Sequence, residues 1–182
     1  MPTSIYRDFR FEWKSVRLPI SAQQLGIKNL NKLGLIVESH ISEAGKKYRL
    51  IMPTIDNHPL PELIKAIEIP FAEAEGHENL AGEYGPIDFP ENLIDHFLGL
   101  TDSVYGENPK KTAVLECVCG CPGCWPLVCS IEVDDSVVRW NQFEQPHRLS
   151  DSPASHWDYS GFEGFEFDKL DYLVELERAL NA

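Results

Sequence analysis

The sequence predicts a single α+β domain over residues 1–182: a twisted antiparallel sheet packed against a C-terminal helix and short central helices. Three observations carry this. Apolar residues alternate with polar ones in several short runs toward both ends of the chain, the period of a half-buried strand. The middle holds two brief stretches with apolar residues at helical spacing, bounded by Pro or Gly. The tail DKLDYLVELERAL is amphipathic at the helical period.

Taken in order, IYRDFRFEWKSVRL suits a strand with Phe9, Phe11 and Trp13 inward. LGLIVES and KYRLIMP, separated by HISEAGK, predict two strands joined by a Gly-containing loop. DNHPLPELIKAIEIPF opens with turn residues and predicts a helix over 61–68. Leu60, Leu63, Ile64 and Ile67 form its stripe, and Pro70 limits it. FPENLIDHFLG predicts a second short helix with Pro90 in its first turn, Leu93, Ile94, Phe97 and Leu98 inward, and Gly99 at its end. Asp95 and His96 are adjacent there, point about 100° apart, and read as part of a solvated acidic face. The polar TDSVYGENPKK leads to three strands, TAVLECVC, WPLVCSIEV and SVVRWNQF, with Asp134–Asp135 as the second turn. QPHRLSDSPASHWDYSGFEG lacks periodicity and predicts a long ordered loop. FEF adds an edge strand, and Asp168 caps the last helix, whose packed stripe is Leu170, Leu173, Val174, Leu176 and Leu180.

The formal net charge of −13 disfavours nucleic acid as a partner, because the chain repels phosphate backbones. Residues 1–55 carry nine Lys or Arg against four acids, whereas residues 56–109 carry twelve acids against Lys65 alone. That middle third is either a solvated surface or a face for a protein with a basic surface. No run of eighteen apolar residues occurs and no leader pattern opens the chain, so no membrane partner is expected. Five cysteines cannot all pair within one chain, which fits a reducing, cytoplasmic setting.

All five cysteines fall in ECVCGCPGCWPLVC. Pro122-Gly123 between Cys121 and Cys124 asks for a type II turn. A hairpin around it sets Cys119 opposite Cys124, Cys117 opposite Pro126 and Val114 opposite Cys129. Cys117, Cys119 and Cys124 then share one sheet face, and Cys129 joins the apolar face with Leu127, Ile131, Val133, Val138 and Trp140. With the turn at Asp134–Asp135, Val133 lies opposite Ser136, Gln145 falls beside Cys124, and His147 leaves the sheet at the thiol-bearing edge. Three sulfurs and one nitrogen suit zinc, so Cys117, Cys119, Cys124 and His147 are the candidate metal ligands, with His156 and Cys121 as spares. The spacing matches no standard pair of Cys-x-x-Cys knuckles. An unliganded structural cluster and a redox-active Cys121–Cys124 pair stay open beside zinc.

The loop after the third strand carries Arg148, His156, Trp157, Asp158, Tyr159 and Phe162. Its aromatics imply packing, with Trp157 and Phe162 expected to shield the thiols. Arg148, His156, Trp157, Asp158 and Tyr159 are candidate pocket or partner contacts. No phosphate loop, dinucleotide fingerprint or nucleophile elbow is present.

ECVCGCPGCWPL, VVRWNQFEQPHR and WDYSGFEGFEFDKLDY together resemble an uncharacterised family of bacterial proteins, over about residues 114–173. The shared pattern, Cys-x-Cys-Gly-x-x-Gly-Cys-x-Pro-Leu, falls on Cys117, Cys119, Gly120, Gly123, Cys124, Pro126 and Leu127, with Cys121 as a local variation. The resemblance implies a grouping and no activity. Together the residues point to a non-enzymatic, protein-binding accessory domain with a cysteine-rich, zinc-stabilised hairpin. The alternative is a metal-dependent or thiol-based enzyme using the Cys/His cluster.

Overall fold

β1 (Leu33–Ile41) and β2 (Lys47–Ile55) form the predicted antiparallel hairpin, and Gly45 takes a positive φ in its loop. The computed structural model describes residues 30–101, 111–150 and 154–182; the predicted strand with Phe9, Phe11 and Trp13 and most of the polar 101–111 connection lie outside the described residues. After β2, Asp56 and Asn57 both adopt positive φ, 52° and 66°. These two residue types tolerate the left-handed region, and paired positive φ values suit a tight reversal into β3 (His58–Pro59).

α1 (Leu60–Ala74) starts at once, with Pro61 in the first turn where its missing N–H costs nothing. The helix was expected to stop before Pro70 but runs through it to Ala74. Pro70 sacrifices one helical hydrogen bond. The turn beyond it buries Ala72 completely and stacks Phe71 on Trp157 at 6.4 Å, which offsets that local loss. The buried track is Leu60, Ile64, Glu68 and Ala72, four residues apart throughout.

β4 (Tyr84–Gly85) and β5 (Ile87–Asp88) precede α2 (Leu93–Phe97). Asn92 caps α2 by accepting the Asp95 N–H at 3.2 Å, so Pro90 lies before the helix and not in its first turn. Leu93 and Phe97 are fully buried, and Ile94 and Leu98 half-buried. His96 does not belong to a solvated face. Its Nε2–H donates to the Ala113 carbonyl at 2.8 Å, and burial lowers its pKa.

β6 (Lys111–Cys117), β7 (Leu127–Val133), β8 (Val137–Glu144) and β9 (Phe165–Asp168) complete the strands. The expected single sheet is divided into two among the described residues. One holds β1, β2, β3 and β5, and the other runs β4-β6-β7-β8-β9, with all named strand pairs antiparallel. Register departs from expectation. Val133 pairs with Val138, because the Asp134 N–H reaches the Val137 carbonyl at 2.8 Å and lengthens the turn. Thr112, not Val114, faces Cys129, and an irregularity follows at Ala113–Leu115. Both shifts from the expected pairings are even where β7 meets its partners at Cys129 and Val133, so the faces survive. Leu127, Cys129, Val138 and Trp140 are fully buried and Ile131 nearly so, whereas Val133, expected on the same face, is 41% exposed at the strand end.

α3 (Lys169–Leu180) is capped by Asp168, which accepts the N–H groups of Leu170 and Asp171. Its buried face is Tyr172, Leu176 and Ala179, while Leu170 and Val174 are 75% and 65% exposed, contrary to the predicted stripe. Polar anchors turn the helix. The Tyr172 hydroxyl accepts the Trp140 indole N–H at 3.0 Å and donates to the Phe97 carbonyl at 2.6 Å. Glu175 accepts the Leu35 N–H at 2.5 Å, and Arg178 donates to the Leu35 carbonyl on the same edge of β1. A continuous apolar cluster drawn from both sheets and the helices lies between them, with Trp140 against Phe97, Phe167 and Tyr172.

Candidate metal centre

The cysteine segment leaves the sheet sooner than its alternation suggests. β6 ends at Cys117 and β7 begins at Leu127, so Cys119 and Cys124 are not a cross-strand pair, and Gln145 has no Cys124 to face. Two successive turns occupy the gap. The Cys117 carbonyl accepts the Gly120 N–H at 3.0 Å, and the Cys121 carbonyl accepts the Cys124 N–H at 3.1 Å. Gly123 has φ 73°, as the expected type II turn at Pro122-Gly123 requires.

These turns bring Cys117, Cys119 and Cys124 together, with Sγ atoms all within 4.8 Å of one another. Tetrahedral zinc at a Zn–S distance of ~2.3 Å separates its sulfurs by about 3.8 Å, so small side-chain rotations reach ligation geometry. The Cys119 backbone N–H points to the Cys117 sulfur at 3.5 Å. Cys117 is half-buried, and Cys119, Cys121 and Cys124 are exposed. Burial, chiefly, pushes the Cys117 thiol up to about 12. Cys119 is held below the ordinary thiol value by hydrogen bonds from the Cys117 thiol, then the Cys121 backbone N–H, then the other two thiols. The Cys121 thiol is raised, mainly because it donates to Cys119. Cys129 lies apart in the core, fully buried, with its thiol pushed up by desolvation.

His147 comes to the same turn by another contact. Its Nε2 bonds the Gly123 carbonyl at 2.9 Å, and a carbonyl only accepts, so Nε2 carries the proton. The opposite end of that residue, the Gly123 N–H, donates to Glu116 Oε2 at 3.2 Å. Gly123 is thus held at both backbone groups. The His147 ring stacks on Trp125 at 6.4 Å, Trp125 meets Trp157 edge-on at 5.7 Å, and Arg148 lies 5.0 and 5.5 Å from their respective ring centres.

Among the described residues, the long loop does not cover the thiols. Trp157 is buried against Phe71 of α1, and Phe162 packs with Phe143 and Phe165. Two carboxylates, Glu68 of α1 and Glu75 at its C-terminal cap, unremarked in the sequence, draw the loop there. Glu75 accepts the Trp157 indole N–H at 2.6 Å and pairs with Arg148 at 3.3 Å. Glu68, fully buried, accepts Tyr159 and Tyr84 hydroxyls at 2.5 and 2.6 Å and the Gly82 N–H at 2.8 Å. Desolvation raises its pKa despite those three donors. The available signal was positional: Glu68 stands on the Leu60–Ile64–Ala72 track, where an apolar residue belongs.

The remaining loop candidates separate. Arg148, Trp157 and Tyr159 turn inward to α1, whereas His156 and Asp158 are exposed. His156 Nδ1 bonds the Arg148 carbonyl at 2.9 Å, and Asp158 accepts the Ser160 N–H at 2.8 Å, which lowers its pKa. Chemically, the arrangement gathers three sulfurs that could hold a soft cation on an exposed turn, beside a cluster of aromatic rings. Among the described residues no helix is long and apolar enough to cross a membrane. No protein-family model, curated protein or solved structure matches this chain.

Proposed function

We propose that the chain is a non-enzymatic accessory domain that binds another protein, with a zinc ion on Cys117, Cys119 and Cys124 organising its cysteine turn. The observation that carries this is the mutual approach of three sulfurs to within 4.8 Å, Cys117 at the paired end of β6 and Cys119 and Cys124 on the turns that follow it. Thiolates select zinc over the hard cations that carboxylates prefer. Zinc supplies an irregular turn with the cross-link that the sheet ladder no longer provides. The partner suited to the molecule has a basic surface, because Glu62, Glu73, Glu78, Glu83, Asp88 and Glu91 are all exposed along α1 and the segment after it. Free thiols in this number favour a cytoplasmic setting. The likeness to the uncharacterised bacterial family supports a grouping and adds no activity.

Elemental analysis of protein purified under reducing conditions without added metal is expected to find zinc. Its removal by a chelator is expected to loosen the turn and lower the melting temperature. Cys124→Ser is expected to do both. A reduced chain that takes up no zinc defeats the metal part of the reading, and turnover of a defined substrate defeats the non-enzymatic part.

A further inference from the structure

We infer that the outer edge of β1 is a docking surface for a second copy of this chain, paired antiparallel about a two-fold axis at Ser39. The surface is separate from the cysteine turn and needs no metal. Among the described residues, β1 is the rim of its sheet, with β2 alone beside it. Which backbone groups face outward follows from Pro53, the partner of Leu35 in the β1–β2 ladder. Pro53 has no N–H to give, so the Leu35 groups turn away from β2. There α3 takes them: Glu175 accepts the Leu35 N–H at 2.5 Å, and Arg178 donates to its carbonyl. Alternation aims the same groups of Val37, Ser39 and Ile41 outward as well. Among the described residues, no backbone group bonds these three on that side. Ile41 is also 68% exposed.

An open edge is a template for another strand, and the residues along it select which one. Outward-facing groups must meet outward-facing groups, so a two-fold pairing that uses at least two of the three centres on residue 38, 39 or 40. A centre at Glu38 sets that carboxylate against its own copy, and a centre at His40 does the same to the imidazole. A centre at Ser39 sets Glu38 against His40 and Val37 against Ile41, each in both directions. It therefore joins carboxylate to base and apolar to apolar, the pairs that stabilise neighbouring strands. Within one chain the His40 ring stacks on Tyr48 at 5.4 Å and lies 3.3 Å from Glu38, so the two charged groups already share one face of β1. The same register brings the exposed Glu43 opposite Leu35 of the second copy, where Arg178 is bound. A ladder of this length belongs with the weak interfaces below about 1,200 Å², for which a Kd of about 10 μM to about 1 mM is expected.

The test uses the full chain in reductant, so that the exposed thiols do not cross-link copies. Sedimentation velocity from about 1 μM to about 1 mM is expected to show the mass climbing from 20.6 kDa toward twice that value. Amide hydrogen exchange at Val37, Ser39 and Ile41 is expected to slow as concentration rises. Ser39→Pro removes one outward N–H and leaves the β1–β2 ladder intact. It is expected to abolish association without lowering the melting temperature of dilute protein. Glu38→Lys sets a cation against the imidazole, and His40→Glu sets two carboxylates together. Each is expected to weaken self-association by about 10-fold. An equimolar mixture of these two variants is expected to recover it, because every facing pair then joins a base to a carboxylate.

A chain that stays monomeric throughout overturns the inference, whatever its metal content. Association that survives Ser39→Pro, or a mixture that associates no better than either charge variant alone, puts the contact elsewhere and overturns it too. Amides at Val37, Ser39 and Ile41 that are protected equally at every concentration show an edge covered by the chain's own residues, with the same consequence.

Discussion

Glu68 occupies a position that helix geometry gives to an apolar side chain, and three donors make the burial of its carboxyl tolerable. Glu68→Ala strands two tyrosine hydroxyls and one backbone N–H inside the protein. Urea denaturation is expected to show a loss of about 3 kcal/mol, more than truncation of an exposed neighbour such as Glu73. Its pH dependence has a definite sign. Burial raises the folded-state pKa, so the Glu68 contribution is full below the ordinary glutamate value and falls away as pH rises through the raised one. His96 acts in the other direction. Its pKa is lowered, so its contribution is present above the ordinary imidazole range and is lost as pH falls through the lowered folded value. Unfolding curves across pH are expected to flatten on the acid side in His96→Gln. A wild-type and variant pair with parallel curves there contradicts the lowered pKa of this half-buried imidazole.

At the level of elements, the cysteine turn depends on one glycine held at both ends. Gly123 has φ 73°, so an alanine there costs about 1 kcal/mol in backbone strain before any effect on metal. Gly164 is more demanding: a Cβ would stand 2.0 Å from the Trp140 carbonyl, at φ 83°. Gly164→Ala is therefore expected to lower the melting temperature more than Gly123→Ala, and the reverse order in a thermal scan contradicts this. Arg148 joins the loop to α1 through Glu75 while covering Trp125 and Trp157. Arg148→Ala is expected to cost about 2 kcal/mol and to raise quencher access to tryptophan, because both the ion pair and the covering stem are lost. Unchanged quenching contradicts its role as the cover.

Across the whole molecule, the two sheets and α3 are held by one apolar cluster centred on Trp140, while acidic side chains dominate the α1 side. An interface formed with that side and a basic partner is screened by salt. Its association rate is expected to fall with rising ionic strength in stopped-flow measurements, and a salt-independent rate speaks against the acidic face as the docking surface.

Much of the architecture is written in local pattern. Alternation places Leu127, Cys129, Ile131, Val138 and Trp140 on a buried face, Asp168 announces α3, and Pro122-Gly123 announces its turn. These survive because a period of two or a cap is a property of neighbouring residues. Register, the end of α1 and the rotation of α3 are not properties of that kind. α1 passes Pro70 and Leu170 is left outside because distant partners such as Phe97, Leu35 and Trp157 contribute more than local preference, and Val133 meets Val138 because the backbone bond from Asp134 to Val137 lengthens the turn. The same division runs through the candidate centre. The sequence by itself determined which thiols lie close along the chain. Only the tertiary structure decided that they gather by turn curvature, that His147 spends its Nε2 proton on Gly123, and that the aromatic loop turns to Glu68 and Glu75, since each outcome depends on hydrogen-bond partners remote in sequence.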